Sequence, residues 1–204
     1  MNTINKVMLS PGQQMTALLT QDVATAYTVP ADATLSLVCV GQQNISLDCH
    51  LIGENARFEI VCVYLADSKI HPDINITVHH EADKTTSDQM IRGVLADKAK
   101  ACFTGTIHVP YGLHTIEGHQ KHQALMLSDT AVVKVTPQLF VNSEDAACSH
   151  GNTVGFLDQD ALFYMQARGL TPSVAKQLLI RGFLSQDLPP TAVDLIEKWT
   201  EKNV

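Results

Sequence analysis

The sequence predicts a mainly β chain that ends in helices, and three observations lead to this prediction. Up to about residue 155, short runs rich in Val, Ile, Leu and Thr alternate apolar with polar residues, as half-buried strands do. Turn residues separate these runs at intervals of roughly 8–12 positions. Beyond residue 155 the apolar residues recur with the helical period. We therefore expect a β region over residues 1–155 and a helical region over residues 156–204.

The strand region carries a weak internal repeat. The predicted strands cover residues 35–40, 45–52, 56–66, 74–80, 88–96, 101–109, 123–128 and 131–141. An acidic residue, any residue and an alanine recur at 54–56, 97–99, 129–131 and 145–147. A small alanine after a polar turn suits a tight corner, which favours the stacked units of a β-solenoid. Because the intervals are irregular, a β-sandwich stays open and is the commoner architecture for such a pattern.

Three helices are predicted in the C-terminal region. The first begins at the cap Asp158 and ends at Gly169, and the second begins at the cap Thr171 before a proline. Two further prolines stop the chain, and Thr191 is predicted to cap the last helix. The apolar faces of the three helices are predicted from Ala161, Leu162 and Met165, from Ala175, Leu178 and Leu179, and from Val193, Ile196 and Trp199.

Charge and composition exclude several classes of partner. The chain of 204 residues has a formal net charge of −7, so nucleic acid or an anionic membrane is not expected as its main partner. No apolar run reaches the roughly 18–20 residues that span a bilayer. The first 14 residues lack the apolar core of a secretory signal, so we expect a cytoplasmic protein. The odd count of five cysteines favours free thiols, and the absence of a CxxC pair argues against a closed zinc site of the usual spacing.

The pair Cys148 and His150 is the main candidate site. Residues two apart in a strand point to the same face, and a thiolate and an imidazole together can bind iron or zinc. Two ligands do not complete a site, so others would come from elsewhere, another subunit included. A small buried thiol beside a surface histidine is the simpler interpretation of these residues alone. A cysteine nucleophile with His150 as its base is a weaker alternative, since no oxyanion-hole motif accompanies it.

The remaining histidines and cysteines are interpreted as structural. His79 and His80 are adjacent in a strand, so we expect one to be solvated and the other to pack. His108, His114, His119 and His122 are expected to be scattered over the surface, in loops and the start of a strand. Cys39, Cys62 and Cys102 are expected in the core, and Cys49 stays open. No phosphate-binding loop, dinucleotide fingerprint, GxSxG or HExxH motif is present, so no complete enzyme active site is predicted.

Three segments resemble one family. They are HHEADKTTSDQMIRGVLADKAKACFTGTIHV, then HQKHQALMLSDTAVVKVTPQLFVNSEDAACSHG, and CSHGNTVGFLDQDALFYMQARGLTPSVAKQLLIRGF. Together, over roughly residues 74–188, they resemble the SufB/SufD family of iron–sulfur cluster assembly proteins. The Cys-Ser-His-Gly form is closer to the SufD side, and the chain looks shortened at its N-terminus relative to that family.

The resemblance implies a fold and a function. The implied fold is mainly β, a right-handed parallel β-helix (β-solenoid) over residues 1–155 followed by a helical C-terminal domain over residues 156–204. The implied function is that of a non-enzymatic scaffold of the SUF system, which pairs with a SufB-like subunit or with itself and recruits a SufC-like ATPase. The alternative is an interaction module of the same fold that no longer assembles clusters.

The resemblance also implies residue roles. Cys148 and His150 are the expected ligands of a transient iron–sulfur cluster or iron at the subunit interface. The expected contacts with the ATPase are Leu162, Phe163, Tyr164, Arg168 and Gly169. Nucleic acid and membrane are not expected partners.

Overall fold

The computed structural model describes residues 4–204, which form twelve strands and three helices. The strands are β1 (Asn5–Met8), β2 (Gln14–Leu19), β3 (Val23–Val29), β4 (Thr34–Gly41), β5 (Ile45–Leu51), β6 (Arg57–Ala66), β7 (Asp73–His80), β8 (Thr86–Leu95), β9 (Lys100–Val109), β10 (His114–Met126), β11 (Val132–Val141) and β12 (Asp145–Phe156). The helices are α1 (Gln159–Ala167), α2 (Pro172–Leu184) and α3 (Pro190–Asn203).

The strands alternate between two parallel sheets. The first sheet has the order β1-β3-β5-β7-β9-β11, and the second has the order β12-β10-β8-β6-β4-β2. Every recorded strand pair is parallel, so each coil of the chain adds one strand to each sheet. The chain is therefore a parallel β-helix, which confirms the predicted fold class and excludes the antiparallel sandwich.

The acidic-x-alanine repeat marks the corners of the coils. Ala56, Ala99 and Ala131 are buried, and each donates its backbone N–H to the carbonyl three residues earlier, at 3.1, 3.0 and 3.3 Å. Asn55 and Asp97 adopt left-handed backbone conformations there, with φ of 60° and 53°, which Asn and Asp tolerate better than most residues. The prediction of corners is confirmed at these three places, whereas residues 145–147 begin strand β12.

The interior between the two sheets is formed by alternate residues of each strand. Leu35, Leu37, Phe58 and Ile60 are almost fully buried there, and Cys39, Cys49 and Cys62 lie among them. The prediction that Cys102 belongs to this core is wrong, because Ala101 and Phe103 take the inward positions of β9 and Cys102 faces solvent.

The helices cover part of the outer face of the second sheet. Apolar residues of β4, β6 and β8 meet apolar residues of α2 and α3 in a second cluster, which contains Val40, Val63, Leu65, Val94, Ala96, Ile180, Leu184, Ala192, Ile196 and Trp199. This cluster gives the outer face of the sheet an apolar contact and fixes the two helices on it.

The helix boundaries follow the predicted signals in most places. Asp158 accepts hydrogen bonds from two backbone amides of α1, and Gly169 follows the helix with φ of 94°. Thr171 caps α2 through the amide of Val174 at 3.4 Å. The predicted cap Thr191 is wrong, because Pro189 takes the cap position and α3 begins at Pro190, two residues earlier than predicted, where the fixed φ of proline suits the first helical position.

Two other predictions differ from the structure. The buried face of α2 is formed by Ala175, Ile180 and Leu184, whereas Leu178 is 42% exposed. Strand β10 extends over His114–Met126 and includes the stretch that the sequence left as loop, and strands β1, β2 and β3 were not predicted. None of the three helices in residues 4–204 combines the length and the apolarity that crossing a bilayer requires.

Candidate functional site

The predicted ligands Cys148 and His150 lie on β12, the edge strand of the second sheet. Cys148 is aligned with Gly118 of β10, and His150 is aligned with Gln120. The aligned positions continue the inward-facing rows of earlier coils, so both side chains are on the inner face at the end of the β-helix. In an extended strand their Cα atoms are roughly 7 Å apart.

The thiol of Cys148 is half-buried against a small apolar cluster. It packs beside Ile107, Val109 and Ile116, and it lies directly over Gly118. A Cβ atom on Gly118 would be 3.2 Å from the sulfur, so the glycine makes room for the thiol. Burial raises the pKa of Cys148 more than a hydrogen bond from the Gly118 amide lowers it. The thiol is therefore mainly protonated at neutral pH until a cation binds it, which disfavours the cysteine-nucleophile alternative.

The imidazole of His150 is exposed, because β12 ends its sheet. The next residue in its row, Gln120, is buried and donates to Gln89 at 3.3 Å. The Oε1 atom of Gln120 and the Nε2 atom of Gln89 lack hydrogen-bond partners within residues 4–204. The inward residues of β8 and β10 that are aligned with His150 are thus polar and incompletely satisfied. The aligned inward residues of β4 and β6 are apolar.

A hydrogen-bonded chain connects the core to the edge strand beside this pair. The hydroxyl of Tyr64 donates to Nε2 of His122 at 2.9 Å, and Nδ1 of His122 donates to Oδ1 of Asn152 at 2.9 Å. The ring of Tyr64 lies over Gly93, where a Cβ would come within 1.9 Å of it. Burial lowers the pKa of His122 more than the bond to Asn152 raises it, so the ring stays neutral in this chain.

Sequence reasoning missed this hydrogen-bonded chain. The prediction placed His122 on the surface, but its residue is 1% exposed, because β10 begins earlier than predicted. His119 faces the outer surface of the same strand and contacts the hydroxyl of Ser149 at 2.9 Å. The prediction that one of His79 and His80 is solvated and the other packs is confirmed only for the packed one, because the side chain of His79 is 29% exposed and lies 3.1 Å from Asp48. His80 is fully buried between Thr85 and Ser87.

The predicted ATPase contacts lie on α1. Phe163 and Tyr164 are 74% and 60% exposed, whereas Leu162 is buried and packs inward. The guanidinium of Arg168 lies 5.2 Å from the centre of the Tyr164 ring and donates to its hydroxyl at 3.3 Å. Gly169 ends the helix directly after Arg168. The exposed aromatic pair and Arg168 form an apolar surface with a cationic edge, which we call the α1 patch.

An arginine that the sequence did not single out joins the two parts of the chain. Arg92 of β8 is 3% exposed, and it donates to the backbone oxygen of Gln186 at 2.7 Å and to the side-chain oxygen of that residue at 3.2 Å. Its guanidinium also lies 3.5 Å from Oδ2 of Asp187. The segment between α2 and α3 is thus held on the second sheet by a buried cation.

Comparison with known proteins identifies the family. The profile described as "SUF system FeS cluster assembly, SufBD core domain" matches residues 13–183, which is most of the chain. The chain belongs to the SufBD core family. The matched region contains the second sheet, the edge strand β12 and helix α1, and so the family assignment covers both Cys148–His150 and the α1 patch.

The chain spans about a third or less of the length of the curated SufBD relatives that it matches. The iron-sulfur cluster assembly protein SufD of Escherichia coli is 29% identical over 136 residues, which are 67% of this chain and 32% of that protein. A SufBD family iron-sulfur cluster assembly protein of Pyrococcus horikoshii is 29% identical over 164 residues, 79% of this chain and 36% of that protein. One from Synechocystis is 25% identical over 163 residues, 67% of this chain and 36% of that protein.

Proposed function

We propose that this SufBD core chain is a non-enzymatic scaffold for iron–sulfur cluster assembly, and that Cys148 and His150 are its half of a cluster-binding site. The observation that carries the proposal is the position of the pair. A thiol and an imidazole share the inner face of the edge strand β12, at the open end of the β-helix. The family membership supports the same role, since the aligned relatives are named as cluster assembly proteins.

The chemistry of the pair fits a shared site. Thiolate and imidazole are ligands for iron and zinc, and two ligands leave positions that a partner, sulfide or water must fill. Within residues 4–204, no third His, Cys, Asp or Glu is grouped with the pair as a metal ligand. An edge strand presents unpaired backbone groups to another chain, so a SufB-like subunit or a second copy can pair there and supply the missing ligands. Iron and sulfide are the transient cargo of this site.

The α1 patch is the proposed contact for a SufC-like ATPase. Phe163 and Tyr164 offer a large exposed aromatic area, which is enriched at protein interfaces, and Arg168 sits at its edge. Leu162 contributes to this contact indirectly, because its buried side chain anchors α1. Gly169 contributes by ending the helix after Arg168. Because Arg92 fixes the α2–α3 segment on the second sheet, a force on the helices would reach the strands that lead to β12.

The cluster proposal is tested by metal and sulfide content. The chain is purified anaerobically with its native partners, and iron and sulfide are measured per chain. We expect Cys148→Ser and His150→Ala to lower both at least severalfold. The matched control is Cys102→Ser, which removes another accessible thiol, on the outer face of the first sheet. Equal iron and sulfide content in Cys148→Ser and in the control would show that Cys148 does not bind the cluster, and would contradict the proposal.

The ATPase proposal is tested by co-purification. We expect Phe163→Asp and Tyr164→Asp each to weaken retention of a SufC-like ATPase by at least tenfold, since a buried aromatic contact is lost and a charge is introduced. Tyr111→Asp is the matched control, because Tyr111 is 85% exposed on a corner far along the chain from α1. Undiminished retention in both α1 variants would contradict the contact.

A second candidate is an interaction module of the same fold without cargo. It is favoured by one observation, the raised pKa of Cys148, because a proton then competes more strongly with a metal ion for the sulfur at neutral pH. It predicts normal ATPase retention together with iron and sulfide content that does not change in Cys148→Ser. The two tests above therefore separate the two functions.

A further inference from the structure

Three histidines form a row on the outer face of the first sheet, on the opposite sheet from Cys148. His50 of β5 is aligned with His79 of β7, which is aligned with His108 of β9. The rings of His50 and His79 stack with centroids 4.5 Å apart and planes 8° from parallel. We call these three residues the histidine ladder. Because the backbone ladder of a sheet sets their spacing, the rings are brought together by the fold rather than by chain proximity.

A carboxylate meets two of these rings. Asp48 lies two residues before His50 and therefore on the same face of β5. Its Oδ2 atom is 3.4 Å from Nε2 of His50, and its Oδ1 atom is 3.1 Å from Nε2 of His79. One ligand atom from each of the three residues lies within 4.8 Å of the others. Among the described residues 4–204, Asp48, His50 and His79 form the group whose side chains are close enough to share a metal ion.

A second carboxylate orients the first ring. Nδ1 of His50 lies 2.6 Å from Oε1 of Glu81, so the neutral ring donates its Nδ1–H to Glu81. Its Nε2 atom then carries a lone pair and faces the carboxylate of Asp48. The space between these two atoms suits a cation, either a proton carried by Nε2 or a metal ion that Nε2 and the carboxylate bind together. A carboxylate that fixes the outer nitrogen of a ligand histidine is the usual support of a protein metal site.

The electrostatics favour a cation at this point. Oδ1 of Asp48 is screened from water, and its 3.1 Å approach to Nε2 of His79 lacks the geometry of a hydrogen bond, so the atom has no hydrogen-bond partner within residues 4–204. The carboxylates of Asp48 and Glu81 bring two negative charges to the group, and a divalent ion would balance them.

We propose that Asp48, His50 and His79 bind a divalent transition metal ion of borderline softness, with Zn²⁺ as the representative, and that Glu81 positions His50. Two imidazoles and one carboxylate suit Zn²⁺, and water completes the coordination on the solvent side. The nearly parallel rings must turn slightly about the Cβ–Cγ bond to aim both Nε2 atoms at one ion. Rotation about this bond has a broad energy minimum in histidine, so the ring rotation costs little free energy. The site is independent of the cluster-binding pair, which lies on the other sheet.

The first test is a Zn²⁺ titration of the full chain by calorimetry at neutral pH. We expect Asp48→Asn and His79→Gln each to remove one equivalent of bound Zn²⁺, and Glu81→Gln to weaken that equivalent about tenfold. His108→Gln is the matched control, because it removes the third ring of the ladder without touching Asp48. Cys148→Ser is expected to keep this equivalent, which separates the ladder from the cluster-binding pair.

The second test needs no variant and so does not depend on folding of a mutant. The ring nitrogens of the wild-type chain are observed by long-range ¹H–¹⁵N correlation, with and without one equivalent of Zn²⁺. We expect the Nε2 signals of His50 and His79 to move and those of His80 to stay. A doubly protonated His50 whose signals ignore Zn²⁺ would show that a proton holds the carboxylates, and it would overturn the proposal. Unchanged Zn²⁺ stoichiometry in Asp48→Asn and His79→Gln would do the same.

Discussion

The interior of the β-helix changes character from its early coils to its late ones. The inward rows of β4 and β6 are apolar and consist of Leu35, Leu37, Cys39, Phe58, Ile60 and Cys62. The continuation of the same rows through β8, β10 and β12 is mostly polar, with Ser87, Gln89, Gln120, His122, Cys148, His150 and Asn152. The fold is the same in both regions, but the residues that fill it are not.

The difference separates coils with an apolar interior from coils with a polar one, and the proposed cluster ligands lie in the polar coils. Apolar rows gain stability from burial alone, and their strands need no specific partners. Polar rows must satisfy each buried group, and the row of Gln89 and Gln120 does so only in part. The early coils therefore support the structure, while the late coils exchange some stability for polar groups that lead to Cys148 and His150.

The largest expected effect lies in the apolar region. Phe58 is fully buried, so Phe58→Ala removes its contacts and leaves a cavity, at a cost of about 3–5 kcal/mol in the free energy of unfolding. Urea denaturation followed by circular dichroism measures the change. In contrast, the double variant Gln89→Leu/Gln120→Leu is expected to be neutral or stabilising, because both partners of an incompletely satisfied polar pair become apolar together. A larger loss in the double variant than in Phe58→Ala would contradict the comparison.

A smaller effect is expected where the helices meet the second sheet. Arg92→Ala leaves the carbonyl of Gln186 without its charged donor and should cost about 1.5–3 kcal/mol. Hydrogen exchange should show the loss as faster exchange in α2 and α3 with little change in the early coils. Arg57→Ala is the control, because Arg57 is exposed and its ion pair with Glu59 contributes little. Uniform loss of protection across all coils would show that Arg92 does not act locally.

The third effect concerns pH and distinguishes the two regions again. The folded chain keeps His122 neutral, with its pKa below the ordinary value of about 6.5, whereas the unfolded chain protonates it. Below about pH 6.5 the unfolded state binds more protons, so the stability from this residue is present above that pH and is lost as the pH falls. Each unit of pKa shift corresponds to about 1.4 kcal/mol.

The variant His122→Gln should therefore lose less stability than the wild type between pH 7 and pH 5, as measured by urea denaturation at each pH. His114→Gln is the control, because His114 is well exposed on β10. An identical pH dependence in the wild type and His122→Gln would mean that the buried ring does not titrate on unfolding.

Much of the fold was predictable because its signals are local. The alternation of apolar residues located most strands, and Asp158, Thr171 and Gly169 marked helix ends by their own backbone chemistry. Errors arose where a local signal had two meanings. Cys102 lies in an apolar run, but its side chain points out of the β-helix. Thr191 is a common capping residue, but the two prolines before it already cap and begin the helix. Strands β1, β2 and β3 were not predicted, although the burial of β3 alternates as it does in the predicted strands.

The candidate site was predictable only in part. Cys148 and His150 were found because two residues in one strand share a face, whatever strand lies beside them. His122 was missed, since nothing in its neighbourhood of the sequence indicates Tyr64 or Asn152 as partners. Their roles as ligands stay a prediction.

By itself, the sequence determined the alternation of each strand, the alanine corners, most helix caps and the family signature around Cys148. Only the tertiary structure decided which residues meet across coils, such as Tyr64 with His122, His50 with His79, and Arg92 with Gln186. The physical reason is the difference between period and register. The period of a strand is fixed by its own backbone, whereas the register between coils depends on the length and geometry of every corner between them.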